Sequence, residues 1–134
     1  MPQGQLTVNT KGRREFIDLS GLLRRLIQDQ GWQDGLLTLY NPHTTAGLTI
    51  NEGVDPDVRR DILDALARMV PEAAGYRHAE GNSPAHVMAG LMGSSVAIII
   101  HQGRMQLGTW QHVFFCEFDG PRTRTLRWLF LADR

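Results

Sequence analysis

The sequence predicts a single α+β domain, a largely antiparallel sheet carrying two or three helices. Two stretches in the first half repeat their apolar residues at helical spacing, whereas the second half is a series of short strand patterns broken by turns. Strands flank the helices instead of alternating with them, which argues against a doubly wound parallel fold.

Taken in order, Leu6-Thr7-Val8 and Arg14-Glu15-Phe16-Ile17 are alternating runs separated by Lys11-Gly12, and they read as an opening hairpin. Leu19, Leu22, Leu23, Leu26 and Ile27 form one helical face, with Asp18 placed to cap its start and Gly31 to end it. Leu36 to Asn41 is a strand stopped by Pro42, and Gly47 to Asn51 is another, so His43 falls at a strand-end bend. Asp55-Pro56-Asp57 opens a second helix with a capping acid, an early proline and an acid suited to the dipole. Its apolar face is Val58, Ile62, Ala65, Leu66 and Met69, and Pro71 stops it. A third, shorter helix starts at Asn82 or Ser83, ahead of Pro84, and runs to Gly93, which puts His86 in its first turn. From Ser95 the pattern is strand throughout: Val96 to His101, Met105 to Leu107, Gly108 to Phe118, and Thr123 to Leu131 after the Asp119-Gly120-Pro121 turn. The second half is expected to close as one antiparallel sheet.

With 134 residues and no linker or repeat, the chain suits one domain with one core. Fourteen basic residues balance fourteen acidic ones, so no net basic field exists to hold nucleic acid. Lys11 is the only lysine, which removes the central residue of Schiff-base or phosphate-loop chemistry. Cys116 is the only cysteine, so an internal disulfide and a multi-cysteine metal site are excluded and a reducing compartment follows. No run approaches the ~20 apolar residues of a membrane span, and the start lacks signal-peptide character. The expected setting is cytoplasmic, with no membrane partner.

Five histidines divide into two groups. His43, His78 and His86 stand in polar segments rich in Asn, Ser, Thr and Glu, where turn chemistry points side chains out of the scaffold. His86 also lies where unpaired backbone N–H groups and the helix dipole favour an anion, and His78 can reach it if the chain folds back across Gly81. Their spacing matches no local zinc signature, so a shared ion depends on folding to assemble them. His101 and His112, isolated among strand signals, read as turn or sheet-surface residues, and Cys116 between Phe114 and Phe118 as a small buried hydrophobe.

Glu52, after a strand and before Gly53, is the leading carboxylate for proton transfer or metal contact, with Glu80 second. Arg122 and Arg124 alternate onto the face of Leu126, Trp128 and Phe130, where a guanidinium must be wet, paired or bound to an anion. An anionic substrate group and an inter-subunit salt bridge both satisfy that requirement.

Three motifs, His43-Thr44-Thr45-Ala46-Gly47, Glu80-Gly81-Asn82-Ser83-Pro84-Ala85-His86, and Gly108-Thr109-Trp110-Gln111 with Phe118-Asp119-Gly120-Pro121-Arg122, resemble the YjbQ family in order and spacing over nearly the whole chain. The resemblance implies a homotrimer with its site near subunit boundaries. It also implies a secondary thiamine-phosphate synthase, joining a pyrimidine diphosphate to a thiazole phosphate with release of pyrophosphate. On that pattern Glu52 and His43 are the catalytic residues. Thr44, Thr45, Asn82, Ser83, Thr109, Trp110, Gln111, Arg122 and Arg124 bind substrate, and His43, His78 and His86 hold a divalent metal. The imidazoles favour zinc, whereas a diphosphate substrate favours magnesium.

The expectation is thus an enzyme, a transferase acting on a small phosphorylated metabolite. Its rivals are a metal-dependent hydrolase with Glu52 activating zinc-bound water, and a non-catalytic trimer that binds a phosphorylated metabolite.

Overall fold

A computed structural model describes residues 2–133 and shows one α+β domain with two antiparallel sheets and three helices. Sheet A has the order β1–β8–β3–β5–β6, formed by β1 (Gln3–Asn9), β8 (Thr123–Ala132), β3 (Gly35–Tyr40), β5 (Ser95–His101) and β6 (Arg104–Met105). Sheet B has the order β2–β7–β4, formed by β2 (Glu15–Asp18), β7 (Gln111–Glu117) and β4 (Ala46–Glu52).

The two expectations of strand pairing need correction. The first two strands do not form a hairpin: β1 pairs with β8 in sheet A and β2 with β7 in sheet B. The Lys11-Gly12 turn instead carries the chain from one sheet to the other, held where the Glu15 carboxylate accepts from the Gly12 N–H at 2.6 Å. The second half likewise divides, because β7 leaves β5, β6 and β8 to become the centre of sheet B. Turn chemistry shows that the chain reverses and says nothing of the sheet in which the next strand pairs.

The reason β7 belongs in the middle is its sequence. Val113-Phe114-Phe115-Cys116 is apolar on both faces, and all four residues are fully buried. Val113 and Phe115 join Leu48 and the inward residues of sheet A, Leu37, Leu39, Ile98, Leu126 and Phe130, in one core. Phe114 and Cys116 face the other way, onto Leu66, Val70, Ala85 and Met88 of the helical layer. Burial drives the Cys116 thiol far above its ordinary pKa, which agrees with its reading as a small hydrophobe.

Helix signals were legible. In α1 (Ser20–Gln30), Asp18 Oδ1 accepts from the Ser20 N–H at 2.9 Å, and Gly31 closes the helix at φ 69°. The Asp55 carboxylate caps α2 (Pro56–Met69) through the Asp57 N–H at 3.0 Å. The third helix, α3 (Ser83–Met92), starts after Asn82 with Pro84 in its first turn. Gly47 of β4 lets the end of α3 come close, since a Cβ there would lie 2.7 Å from Met92 Cβ. Among the described residues no helix is long and apolar enough to cross a membrane.

One polar interaction joins the sheets. Glu117 at the end of β7 is completely buried, and so is Arg124 near the start of β8 at 2% exposure. Arg124 Nε donates to Glu117 Oε1 at 2.9 Å, and its Nη2 donates both to Glu117 Oε2 and to Thr45 Oγ1, the latter at 2.9 Å. Glu117 also accepts from the Thr10 hydroxyl at 2.8 Å and from the backbone N–H groups of Phe118 and Asp119, each at 3.1 Å. Burial alone would raise the Glu117 carboxyl, but these donors, Arg124 first, hold it below the usual range. The sequence reading placed Arg124 on a ligand or a neighbouring subunit; its partner is instead Glu117 of the same chain.

Removing either charge leaves the other buried and unpaired. Glu117→Gln or Arg124→Met is expected to cost about 3–5 kcal/mol in urea unfolding, and the double replacement Glu117→Leu/Arg124→Met to recover much of that loss. Single losses below ~1 kcal/mol would contradict a desolvated pair, given that range.

Candidate functional site

Arg124, held by Glu117, lines a cleft of about 390 Å³. Its walls are His43, Thr44 and Thr45 from the β3–β4 connection, Glu80, Asn82 and His86 from the entry to α3, and Asp119 and Arg122 from the β7–β8 turn. Three segments distant in sequence therefore meet here, and each was singled out by its polar turn residues.

His43 is held by a gap in sheet A. Pairing of β3 with β8 stops at Tyr40 opposite Arg127, which leaves the backbone of Thr125 without a strand partner on that side. The ring takes that place: the Thr125 N–H donates to His43 Nε2 at 3.0 Å, and the Thr125 carbonyl lies 3.1 Å from the same nitrogen. Asn41 fixes the approach, its side chain accepting from the His43 N–H at 3.0 Å and donating to the Ala46 carbonyl at 2.7 Å. The amide hydrogen of Thr125 is set by the backbone and points at Nε2, so Nε2 is the bare nitrogen and Nδ1 carries the hydrogen. Burial first, and then the nearby Arg124 charge, push the His43 pKa below the ordinary imidazole value.

Across the cleft, Asn82 Nδ2 donates to Asp119 Oδ2 at 3.1 Å, and the same oxygen accepts from Arg122 Nη2 at 3.0 Å. The Arg122 Nε donates to the Asp119 carbonyl at 2.9 Å. That contact orients the Asn82 amide and leaves its Oδ1 buried without a partner. A buried acceptor of this kind costs roughly 1–3 kcal/mol until a donor or a cation reaches it.

His78 does fold back across Gly81, whose φ is 79°, and its ring meets that of His86 edge-on with centroids 5.4 Å apart. His86 lines both the His43 cleft and an adjoining hollow shared with Tyr76, Arg77, His78 and Ser83. The three-histidine metal set is nevertheless not assembled. Among the described residues no group of three or more His, Cys, Asp or Glu side chains is gathered to hold an ion, because His43 spends Nε2 on the β8 backbone.

Other expected members lie elsewhere. Glu52 is at the end of β4 opposite Gln111, and its carboxylate accepts from the Asp55 N–H at 3.1 Å, so it belongs to the α2 entry and not to this cleft. Ser83 is buried at the start of α3 beside His78, not in the His43 cleft. Gly108-Thr109-Trp110-Gln111 is a turn before β7, and Thr109 and Gln111 line a separate cleft against α1 while Trp110 is 61% exposed. The sequence reading missed Asp119, taken only as a turn residue, and Glu117, a lone acid at the end of an apolar run. A charge in that position has to be paired, which was the available signal.

Comparison with known proteins follows the same outline. A family model described as UPF0047 protein YjbQ-like matches residues 4–133. The chain is 46% identical over 121 residues to UPF0047 protein YugU of Bacillus subtilis, covering 90% of this chain and 92% of that one. It is 36% identical over 118 residues to UPF0047 protein YjbQ of Escherichia coli O157:H7, covering 86% of each. A crystal structure from Clostridium acetobutylicum, described as an uncharacterized conserved protein of the YjbQ/UPF0047 family, superposes with a TM-score of 0.91 at 46% identity, covering 95% of this chain and 98% of that one. Hypothetical protein APE1520 of Aeropyrum pernix superposes at 0.93 with 35% identity, covering 99% and 100%.

These relatives overturn the thiamine-phosphate synthase expectation. Their names state membership of UPF0047 and assign no such activity. The residues that were to carry it are also divided, with Glu52 and Gly108 to Gln111 lying outside the His43 cleft.

The geometry of His43 has a direct readout. In ¹⁵N NMR its Nε2 is expected to titrate as the bare nitrogen, with a pKa below the ordinary ~6.5. Because the folded value is the lower one, the stability tied to the neutral ring is fully present above the unfolded pKa. It is lost as the pH falls from there to the folded pKa. A ring protonated at Nε2 at pH 7, or a pKa above the ordinary value, would contradict this arrangement.

Proposed function

This chain belongs to the YjbQ-like UPF0047 family, and from the geometry of its cleft we propose that it binds a small phosphorylated metabolite between His43 and His86. The observation that carries the reading is convergence: Arg122, the hydroxyls of Thr44 and Thr45, the His43 and His86 rings and the opening turn of α3 all border one polar hollow. Guanidinium and hydroxyl donors suit phosphate oxygens, and the dipole of the ten-residue helix α3 adds partial positive charge at its start. The unpaired Asn82 Oδ1 asks for the opposite, a donor, which matches a hydroxyl or amine on the organic part of the same ligand. Proton transfer at this cleft falls to His43 through Nδ1 and to His86, since Glu52 is elsewhere.

A divalent cation is part of the proposal on a narrower footing than three histidines. His78 and His86 are the two imidazoles whose rings meet, and Asn82 Oδ1 is an oxygen lining the cleft with His86. The nitrogen pair favours zinc over magnesium.

Homotrimer formation also has a surface to support it. Leu36 of β3 stands opposite Ile99 of β5 and Leu131 of β8, forming an apolar row on the outer face of sheet A. Ile99 is 62% exposed and Leu131 42%. An uncovered apolar row of this kind marks an association surface.

Glycerol 3-phosphate titrated into ¹⁵N-labelled protein is expected to shift the amides of Thr44, Thr45 and Asn82 to His86. Arg122→Ala should weaken it about tenfold or more, the worth of one or two hydrogen bonds to a charged group. Zinc added alone is expected to shift the His78 and His86 rings and leave His43 unchanged. If phosphate ester at millimolar concentration leaves those amides in place, the binding reading fails; zinc shifts at His43 would restore the three-histidine set. Light scattering should give three times the chain mass for the native protein and less for Ile99→Glu, and a monomeric native protein would remove the trimer.

A further inference from the structure

A second cleft, of about 830 Å³, opens between the C-terminal half of α1 and the β5–β6 hairpin, and the proposed phosphate site shares no residue with it. Its character differs. Met105 and Leu107 provide apolar surface over the buried Ile27 and Trp32, and the guanidiniums of Arg24 and Arg104 stand at its walls. No carboxylate lines it, and among the described residues neither arginine takes part in an ion pair. Two cations beside an apolar surface without a counter-charge are complementary to an acid with an apolar body.

The cleft also holds an oriented imidazole. His112 Nδ1 lies 2.6 Å from Asp18 Oδ2, while Asp18 Oδ1 is engaged by the Ser20 N–H that begins α1. Burial would raise the Asp18 carboxyl, yet the hydrogen bonds from His112 and Ser20 outweigh it and keep the group ionised. A carboxylate at Nδ1 fixes the hydrogen there, so the neutral ring presents Nε2 as an acceptor. Nothing among the described residues hydrogen-bonds Nε2, and the ring lines the cleft. Beside it the Gly108–Gln111 turn is locked by its own bonds, Gln111 N–H to the Gly108 carbonyl at 3.0 Å and Gly108 N–H to Gln111 Oε1 at 2.9 Å. The Thr109 hydroxyl is therefore carried on a rigid wall.

We propose that this cleft is a second binding site, for a small hydroxylated organic acid whose anionic group meets Arg24 and Arg104, whose apolar body lies on Met105 and Leu107, and whose hydroxyl donates to His112 Nε2. The acid is a carboxylate or a phosphate monoester; the guanidiniums accept either. The motif around Thr109 and Gln111 belongs to this ligand and not to the phosphate bound at His43.

The test uses full-length ¹⁵N-labelled protein with 4-hydroxybenzoate, benzoate, phenyl phosphate and inorganic phosphate as separate probes. Expected are shifts at Thr109, Gln111 and the His112 ring, with His43 and His86 unmoved, and tighter binding of 4-hydroxybenzoate than of benzoate. Stronger shifts from phenyl phosphate than from benzoate identify a phosphate ester as the natural class, and the reverse a carboxylate. Arg24→Ala/Arg104→Ala, at two exposed positions, should weaken every organic acid at least tenfold with an unchanged melting temperature. His112→Gln should abolish the preference for the hydroxylated acid while benzoate still binds. The proposal is overturned if no organic acid moves these resonances at millimolar concentration, if inorganic phosphate does so equally well, or if the shifts fall at the His43 cleft. Concentration-dependent shifts of the same residues without any probe would also overturn it, because a second copy of the chain would then be the occupant.

Discussion

The architecture turns on one buried ion pair. Glu117 belongs to sheet B and Arg124 to sheet A; Thr10, just after β1, donates to the first, and Thr45, just before β4, accepts from the second. Two charges withdrawn from water are tolerable only when every lone pair and proton is answered, and here the carboxylate has donors on both oxygens. Such a pair adds little net stability over a well-packed apolar substitute, but it penalises any arrangement in which the two sheets separate or slip. Its position explains why the cleft is there: the turn between β7 and β8 must keep Glu117 and Arg124 in register, and that turn carries Asp119 and Arg122.

The same pair reaches into the chemistry of His43. Arg124 lies close enough to disfavour the imidazolium, and the unpaired end of β8 accepts the ring in place of a strand. A histidine that completes a sheet edge is held firmly, at the expense of one nitrogen. That single hydrogen bond separates the expected arrangement, three histidines sharing one ion, from the observed one, in which the His78 and His86 rings meet and His43 is held apart on β8.

Two clefts of different chemistry follow from the layered arrangement. The one above Glu117 is polar and bordered by turns from both sheets; the one beside α1 is half apolar and closed by a hairpin. Because β7 runs from Gln111 to Glu117, its two ends lie toward the two clefts, with His112 lining one and Glu117 holding the Arg124 that lines the other. A motif spread along this strand is therefore divided between two clefts, and Thr109 and Gln111 line the one away from His43.

Local signals were legible because they depend on neighbours in the chain. Asp55 and Pro56 starting a helix, Gly31 ending one, the bend position of His43, the first-turn position of His86, and the fold-back of His78 across Gly81 all follow from backbone geometry over a few residues. By itself, then, the sequence determined the fold class, the elements and the segments rich in functional groups. Tertiary structure decided which strands share a sheet, which carboxylate pairs with Arg124, and that Glu52 and Thr109 stand apart from His43. Those outcomes rest on contacts between residues remote in the chain, where a free energy of desolvation, not a local preference, selects the partner.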